Sequence, residues 1–387
     1  MWSYLQVLRL PIIRYIPVLL LLTAAIMPWT GISITDAAAL DETVRIAIVK
    51  ATPEVTVAGD GLLVTSDTGG AVAFALPVTV KAVKGGLMAE GKFFRSLVFS
   101  ASSAVLVNNK PYRGLAELSN SDKGVLVINQ LPLEDYLVGL INCEISSAWP
   151  IEAVKAQAVI ARTYALNRKA NRLKAPYHME SSVIDQVYDG CLIEDNRARR
   201  AVSETQGEVL TYGGAVIQAF YHSACGGKTE AAENVWGSSV PYLKGVDCQY
   251  CLTSTSASAW EQKLPLIQIE EKLRAVGNNL SGLTDIKPGA QNSRGRLKQV
   301  VLVASKGGFS LSGDQFRKTI GYGVIKSTRF TVKIYNGEAT FSGTGNGHGV
   351  GLCQWGAKQR SLDGFGYREI LSYYYPGTVL KKFSDIR

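Results

Sequence analysis

Apolar positions between residues 44 and 128 fall in short runs: VRIAIV, VTVAG, GLLVTS, AVAFALPVTVKAV, SLVFSA and GVLVIN, separated by Gly, Asp, Asn and Ser. Runs of this length, rich in β-branched residues and bounded by turn formers, predict strands. After Pro132 the period changes. Leu133, Tyr136, Leu137, Leu140 and Ile141 keep the three/four spacing of one helical face. One more turn of that stripe arrives at Glu144, which therefore points roughly the same way as Leu133 and Leu137. Pro150 suits the first turn of a second helix, where Ala153, Ala156, Ala158, Ala161 and Ala165 leave small surfaces for close packing. Further on, the pattern predicts a helix around Glu194 to Gln206 and strands EVLTY and AVIQAFYHS flanking the Gly213–Gly214 turn. A helix near Leu266–Val276 and strands near Leu297–Ala304 and Phe330–Ile334 follow. The expected class is α+β: a β-rich N-terminal lobe over residues 40–128, then a mixed α/β unit over 129–387.

The first 39 residues read as an address. Arg9 and Arg14 precede an uncharged stretch with VLLLLTAAIM at its centre, and Ala37 and Ala39 form a small-x-small cleavage site. A cleaved signal peptide and an uncleaved membrane anchor are both open. Pro17 and Pro28 bracket an apolar stretch short of the ~20 residues that a span needs. No cysteine sits at the cleavage point, which excludes a lipoprotein, and either reading puts the rest of the chain outside the cytoplasm. A net charge of +9 suits an anionic partner such as a wall polymer or membrane surface. The lysines and arginines are dispersed and no nucleic-acid-binding module is present, so nucleic acid is not an expected partner.

Three places carry candidate chemistry. A carboxylate on an apolar stripe is costly to ionise, and burial raises its pKa; a carboxyl protonated near neutral pH is what a general acid requires. Glu144 fits that description, although a glutamate at a helix end is often simply solvated. The second helix carries Lys155 and Arg162 on one face and Gln157 and Tyr164 on another. These are good tools for holding a sugar polymer with carboxylates, and equally ordinary on a solvated face. His222 and Cys225 form H-x2-C, and Cys248 and Cys251 form C-x2-C after 22 intervening residues. That layout predicts a tetrahedral Zn2+ site, structural if all four positions are filled by protein. Disulfides are the alternative in an exported chain with six cysteines. Cys143, Cys191 and Cys353 remain. A Cys143 or Cys353 nucleophile with His348 and a Cys143–Cys353 disulfide are both open.

The run CEISSAWPIEAVKAQAVIARTYAL, around Glu144, resembles the signature of the SpoIID/LytB family of bacterial cell-wall proteins. AFYHSACGGKTEAAENVWG (219–237), VPYLKGV (240–246) and GTGNGHGVGLCQWGAKQ (343–359) resemble it too, in the same order, so that the likeness spans most of residues 125–380. The resemblance implies an exported peptidoglycan lytic transglycosylase with a SpoIID-type catalytic core and a glycan cleft. Its Glu144 would protonate the MurNAc–GlcNAc oxygen, then take a proton from the muramic C6 hydroxyl as the 1,6-anhydro ring closes. It further implies zinc near the His222/Cys225 segment in some members, with serine for cysteine in others, and His348 and Gln354 as polar contacts in the cleft. Most glycosidases use two carboxylates; here none is an obvious partner, Glu134, Asp135, Glu152 and Asp185 being the candidates. Some family members are instead called amidase enhancers, which implies a wall-binding, non-catalytic partner of another hydrolase. A metal-dependent peptidase is a third reading. The role, whether in sporulation or general wall remodelling, is left open.

Overall fold

The computed structural model describes residues 42–253 and 259–386, so the predicted leader lies outside the described residues. The β-rich prediction holds. Residues 43–132 build two sheets that share one core. The first has seven strands in the order Met179–Glu180, Thr43–Thr52, Gly124–Pro132, Leu115–Ser121, Ser96–Ser100, Leu63–Ser66 and Ala71–Val72. The second has six, from Lys110–Tyr112 through Glu54–Ala58 to Lys92–Phe94. Strict alternation explains the packing: Val55 and Val57, Val78 and Val80, Leu97 and Phe99, Val125 and Val127 all face inward and are buried.

Strand Gly124–Pro132 runs without a loop into helix α1 (Leu133–Glu144). Pro132 sits at its N-cap with extended backbone, and every apolar residue of the predicted stripe is buried. Helix α2 (Ile151–Asn171) follows Pro150 and shares a core with α1 through Ala158, Ala161 and Ala165, which are wholly buried. The α1–α2 contact also carries an ion pair. Arg162, fully buried, donates to both Glu134 carboxylate oxygens at 2.8 and 2.7 Å and to the carbonyls of Val202 and Glu208. Helix α3 (Asn196–Glu204) is held by Asp195, whose side chain accepts from the Ala198 N–H. Glu208–Tyr212 and Ala215–Val216 form the expected hairpin at Gly213–Gly214.

A second core lies around Cys225, Cys248, Cys251 and Cys353 and helices α4 (Ala232–Trp236), α7 (Gln354–Leu362) and α8 (Tyr367–Tyr374). Between α4 and α7 the chain builds a third core of its own. Two three-stranded sheets with helices α5 (Leu266–Ala275) and α6 (Gly313–Ile320) enclose Ile269, Leu302, Phe316, Phe330 and Phe341. The stretch from 129 to 387, expected as one unit, thus contains an inserted α+β module over roughly residues 259–344. No helix among the described residues is long and apolar enough to cross a membrane.

The Arg162–Glu134 pair predicts a stability effect. Removing one partner strands a desolvated charge, typically ~3–5 kcal/mol. Arg162→Ala should lower the unfolding free energy measured in urea by that amount, whereas the exposed Arg200→Ala change should leave the urea midpoint unmoved.

Candidate active site and thiol cluster

Glu144 is the last residue of α1, where the helix leaves the core, and its carboxylate is half-buried. Three donors converge on it. The Val187 N–H reaches Oε1 at 2.9 Å, and the side chains of Tyr221 and Gln354 complete the set. Each donor comes from a different part of the chain. Val187 follows the short strand Met179–Glu180, which is added parallel to Ile46–Ala47 at the sheet edge. Asp185, 1% exposed, anchors that segment by accepting from Tyr164 Oη at 2.9 Å and the Glu180 N–H at 3.0 Å, with Arg168 at 2.7 Å.

Tyr221 and Gln354 are brought together by a two-residue parallel pairing, Tyr221 with Leu352 and His222 with Cys353. The glycine loop makes this pairing close. Gly351, at φ +75°, lies so near the Phe220 carbonyl that a Cβ there would sit 1.9 Å from it, a position only glycine tolerates. Tyr221 Oη accepts from Gln186 Nε2 at 3.1 Å, and Gln186 Oε1 accepts from Tyr136 Oη at 3.1 Å. On the other side Gln354 Nε2 donates to Gln157 Oε1 at 3.3 Å. Glu144 therefore ends a hydrogen-bonded chain on both sides.

Burial pushes the Glu144 carboxyl up to about 6, against the pull of the three donors toward the charged form. Tyr221 is held well above its ordinary value by burial and then by Glu144, so it keeps its proton and donates. His348 is lowered to about 3, by burial first and then by Arg317 and Arg296. Its neutral ring accepts from the Val350 N–H at 3.1 Å and bonds the Tyr221 backbone. It also packs against Phe220 and Trp236, with ring centroids 5.9 and 5.2 Å away. His348 thus braces the strand that carries Tyr221.

Of the polar residues predicted to touch substrate, the structure brings Gln354 to Glu144, with Gln157 behind it. Lys155 is instead paired with Glu152 and Glu204 at 2.9 and 2.7 Å, Arg162 with Glu134, and Tyr164 with Asp185. These three side chains are spent on internal partners. Tyr221 and the Val187 N–H were not singled out from the sequence. A tyrosine inside a strand and a backbone N–H carry no local signal, and only the pairing with Leu352 brings Tyr221 to the acid.

The thiol cluster lies one step beyond the same pairing. Sγ atoms of Cys225, Cys248, Cys251 and Cys353, all buried, lie within 4.8 Å of one another, with Cys225 and Cys251 3.4 Å apart. Tetrahedral Zn–S bonds of ~2.3 Å would place the sulfurs about 3.8 Å apart; the four thiols fit such an ion. All six cysteines are free. Cys353 Sγ accepts from the N–H groups of Cys225 and Gly356 at 3.3 and 3.4 Å, contacts that favour a thiolate. Gly356 must be glycine, since a Cβ would lie 2.7 Å from Cys248 Sγ. The fourth donor differs from the expected one. Cys353 occupies the place assigned to His222, because the parallel pairing delivers a thiol from 102 residues beyond Cys251. His222 Nδ1 faces the Val350 carbonyl at 3.2 Å, and its buried Nε2 has no partner among the described residues. The arrangement also removes Cys353 from a disulfide with Cys143, whose thiol donates to the Gly139 carbonyl at 3.8 Å, and from a nucleophile role with His348.

This geometry sets a poised carboxyl and a four-thiol metal-type site to either side of one short strand pair, in an α+β chain of the cell-wall type that the motifs suggested. The profile of the Stage II sporulation protein family, SpoIID, matches residues 121–212, which include Glu144, and a domain family of unknown function, DUF8618, matches 249–351, which include the inserted module. The chain is 31% identical over 299 residues to an uncharacterized protein of Brachyspira hyodysenteriae, covering 76% of this chain and 79% of that one. It is 30% identical to the stage II sporulation protein D of Bacillus subtilis, covering 66% of this chain and 76% of that one. It is 32% identical to the amidase enhancer of the same organism, covering 64% of this chain and 40% of that longer protein. The chain belongs to the SpoIID family.

The cluster makes a prediction that does not depend on activity. Protein purified without chelator should carry one zinc ion per chain by elemental analysis. Cys353→Ser should lose it and His222→Ala should keep it; the reverse pattern would restore His222 as the ligand.

Proposed function

We propose that this protein is a peptidoglycan lytic transglycosylase in which Glu144 serves as both acid and base. The observation that carries the reading is a half-buried carboxyl near pKa 6 in contact with three fixed donors. Protonated, Glu144 gives its proton to the glycosidic oxygen between MurNAc and GlcNAc. Ionised, it is stabilised by the Val187 N–H, Tyr221 and Gln354 until it accepts the proton of the muramic C6 hydroxyl. That hydroxyl attacks C1 and closes the 1,6-anhydro ring, so one residue near its operating pH can perform both transfers. A single-carboxylate route is supported by the commitments of three of the four other candidate acids. Glu134 is tied to Arg162, Glu152 to Lys155 and the Tyr367 N–H, and Asp185 to Arg168 and Tyr164. A zinc ion held by the four thiols would be structural, since no coordination position is left for water or substrate. It would hold the strand pair that presents Tyr221 and Gln354. The protein would work outside the cytoplasm, on the wall.

A second reading rests on the relative named amidase enhancer: the same cleft would bind wall glycan without cutting it and assist a partner hydrolase. Glu144→Gln separates the two. For a transglycosylase it should reduce release of anhydromuramyl ends by ~10²–10⁴-fold, scored by mass spectrometry of digested glycan strands. Unchanged wall effects in that variant would favour the enhancer.

The acid role also has a pH signature. Glu144 carries its proton below about pH 6, so kcat/KM should fall as pH rises through that value, about tenfold per unit. A falling limb centred near the ordinary carboxyl value of 4.5 would show that the carboxyl is not held in its buried state during the reaction.

A further inference from the structure

Helix α7 starts at Gln354, a donor to Glu144, and carries Trp355, Lys358, Gln359 and Leu362 at the spacing of one helical face. That face borders a depression of about 240 Å³, and Leu362 at its far end is 60% exposed. It leads about 10 Å along the helix axis away from the residue that touches the acid.

A second tryptophan joins this face from the segment that follows Glu144. The ring centroid of Trp149 lies 5.0 Å from that of Trp355. The backbone under both rings is fixed. Arg197 holds the carbonyls of Ser147 and Trp149 at 2.8 and 2.9 Å, and the Trp355 N–H donates to the Ser223 carbonyl at 3.1 Å. Both side chains are half-buried, and neither indole N–H has a partner among the described residues. A rigid aromatic surface with free donors at its edge suits a sugar ring, which has an apolar C–H face and hydroxyls around it.

Lys358 adds a charge to that surface. Its ammonium lies 4.5 Å from the Trp355 ring centroid and 5.1 Å from that of Trp149. No carboxylate among the described residues is within ion-pair distance of it. The neighbouring polar side chain, Gln359, is already committed to Thr253 at 3.1 Å and Asp363 at 2.8 Å. An anion that reaches an ammonium so close to the indoles has to be attached to the ring that stacks on them. In a wall glycan that anion is the lactyl carboxylate of muramic acid.

From this we infer that Trp149, Trp355 and Lys358 form a saccharide subsite of the Glu144 cleft that takes a muramic residue, its ring on the indoles and its lactyl carboxylate on Lys358. The inference rests on the wall-glycan reading above and adds to it the residues that hold the strand beyond the bond being cut.

The test is calorimetric binding to the full-length Glu144→Gln protein, which separates recognition from turnover. Two ligands are compared: a GlcNAc–MurNAc tetrasaccharide with free lactyl carboxylates, and the same tetrasaccharide with those carboxylates amidated. The free acid should bind about tenfold tighter, the range expected for a charge-assisted contact. Adding Lys358→Met should shrink that advantage to less than about threefold. Trp355→Ala should weaken both ligands by about fivefold or more. A Lys358 that merely clamps the two rings would lower the melting temperature when replaced and leave the ratio of the two affinities unchanged. Equal affinity for the two ligands, or an advantage untouched by Lys358→Met, overturns the subsite alone, as does full affinity in Trp355→Ala. Binding of neither ligand overturns it together with the wall-glycan reading.

Discussion

The parallel pairing of Tyr221–His222 with Leu352–Cys353 is the constraint on which the rest of the site depends. Two residues of strand are a small unit, yet this one has a donor for the acid on each arm, Tyr221 and Gln354. Each arm also supplies a thiol of the buried cluster, Cys225 and Cys353. So short a ladder contributes little by itself; mean strands are ~5–6 residues. It is held instead by its surroundings: the glycine loop pressed onto Phe220, the Tyr375 hydroxyl on the Phe220 carbonyl at 2.6 Å, and the sulfur cluster one step beyond. A metal ion at the thiols would act as a cross-link between segments far apart in sequence, and the carboxyl chemistry would inherit its rigidity.

The electrostatics of Glu144 follow from two opposing effects, of which burial is the larger. Burial at the end of an apolar helix disfavours the charge, and three donors favour it; the balance leaves the carboxyl near 6. Either effect alone would spoil an acid/base residue. Full burial without donors would lock the proton on, and full solvation would give an ordinary carboxylate. The donors are in turn set by neighbours that never touch the acid. Asp185 fixes the segment that presents the Val187 N–H, Gln186 orients Tyr221, and Gln157 backs Gln354. His348 belongs to this supporting group, bonded to its own loop and to the Tyr221 backbone.

The inserted module has an independent aromatic core, but its attachment is polar. Arg329 donates to the Gly226 carbonyl at 2.6 Å, and Arg296 reaches Cys225 and Gly347. Both arginines thus grip the backbone around the first thiol and the glycine loop. An insertion joined in this way keeps its packing apart from that beneath Glu144, which lies in a different core.

Much of this was legible along the chain, and for a physical reason. Period-two runs over 44–128, the stripe from Leu133 to Glu144 and the alanine face of the second helix are local patterns, and local patterns follow from backbone geometry. They determined the class, the α1–α2 pair and the burial of Glu144. The C-x2-C pair was legible for the same reason, as neighbours in sequence must be neighbours in space. What tertiary structure decided is whatever joins distant segments. Cys353 rather than His222 completes the thiol set, because a strand pairing carries it across 128 residues to Cys225. Tyr221 meets Glu144 by the same route. Lys155, Arg162 and Tyr164 look like ligand-binding residues on a helical wheel, but each is turned to an acid within the protein, and burial obliges charged groups to find such partners. The separate core of residues 260–341 was likewise hidden: one of its helices and two of its six strands were readable, and only the contacts show that they and the rest pack together.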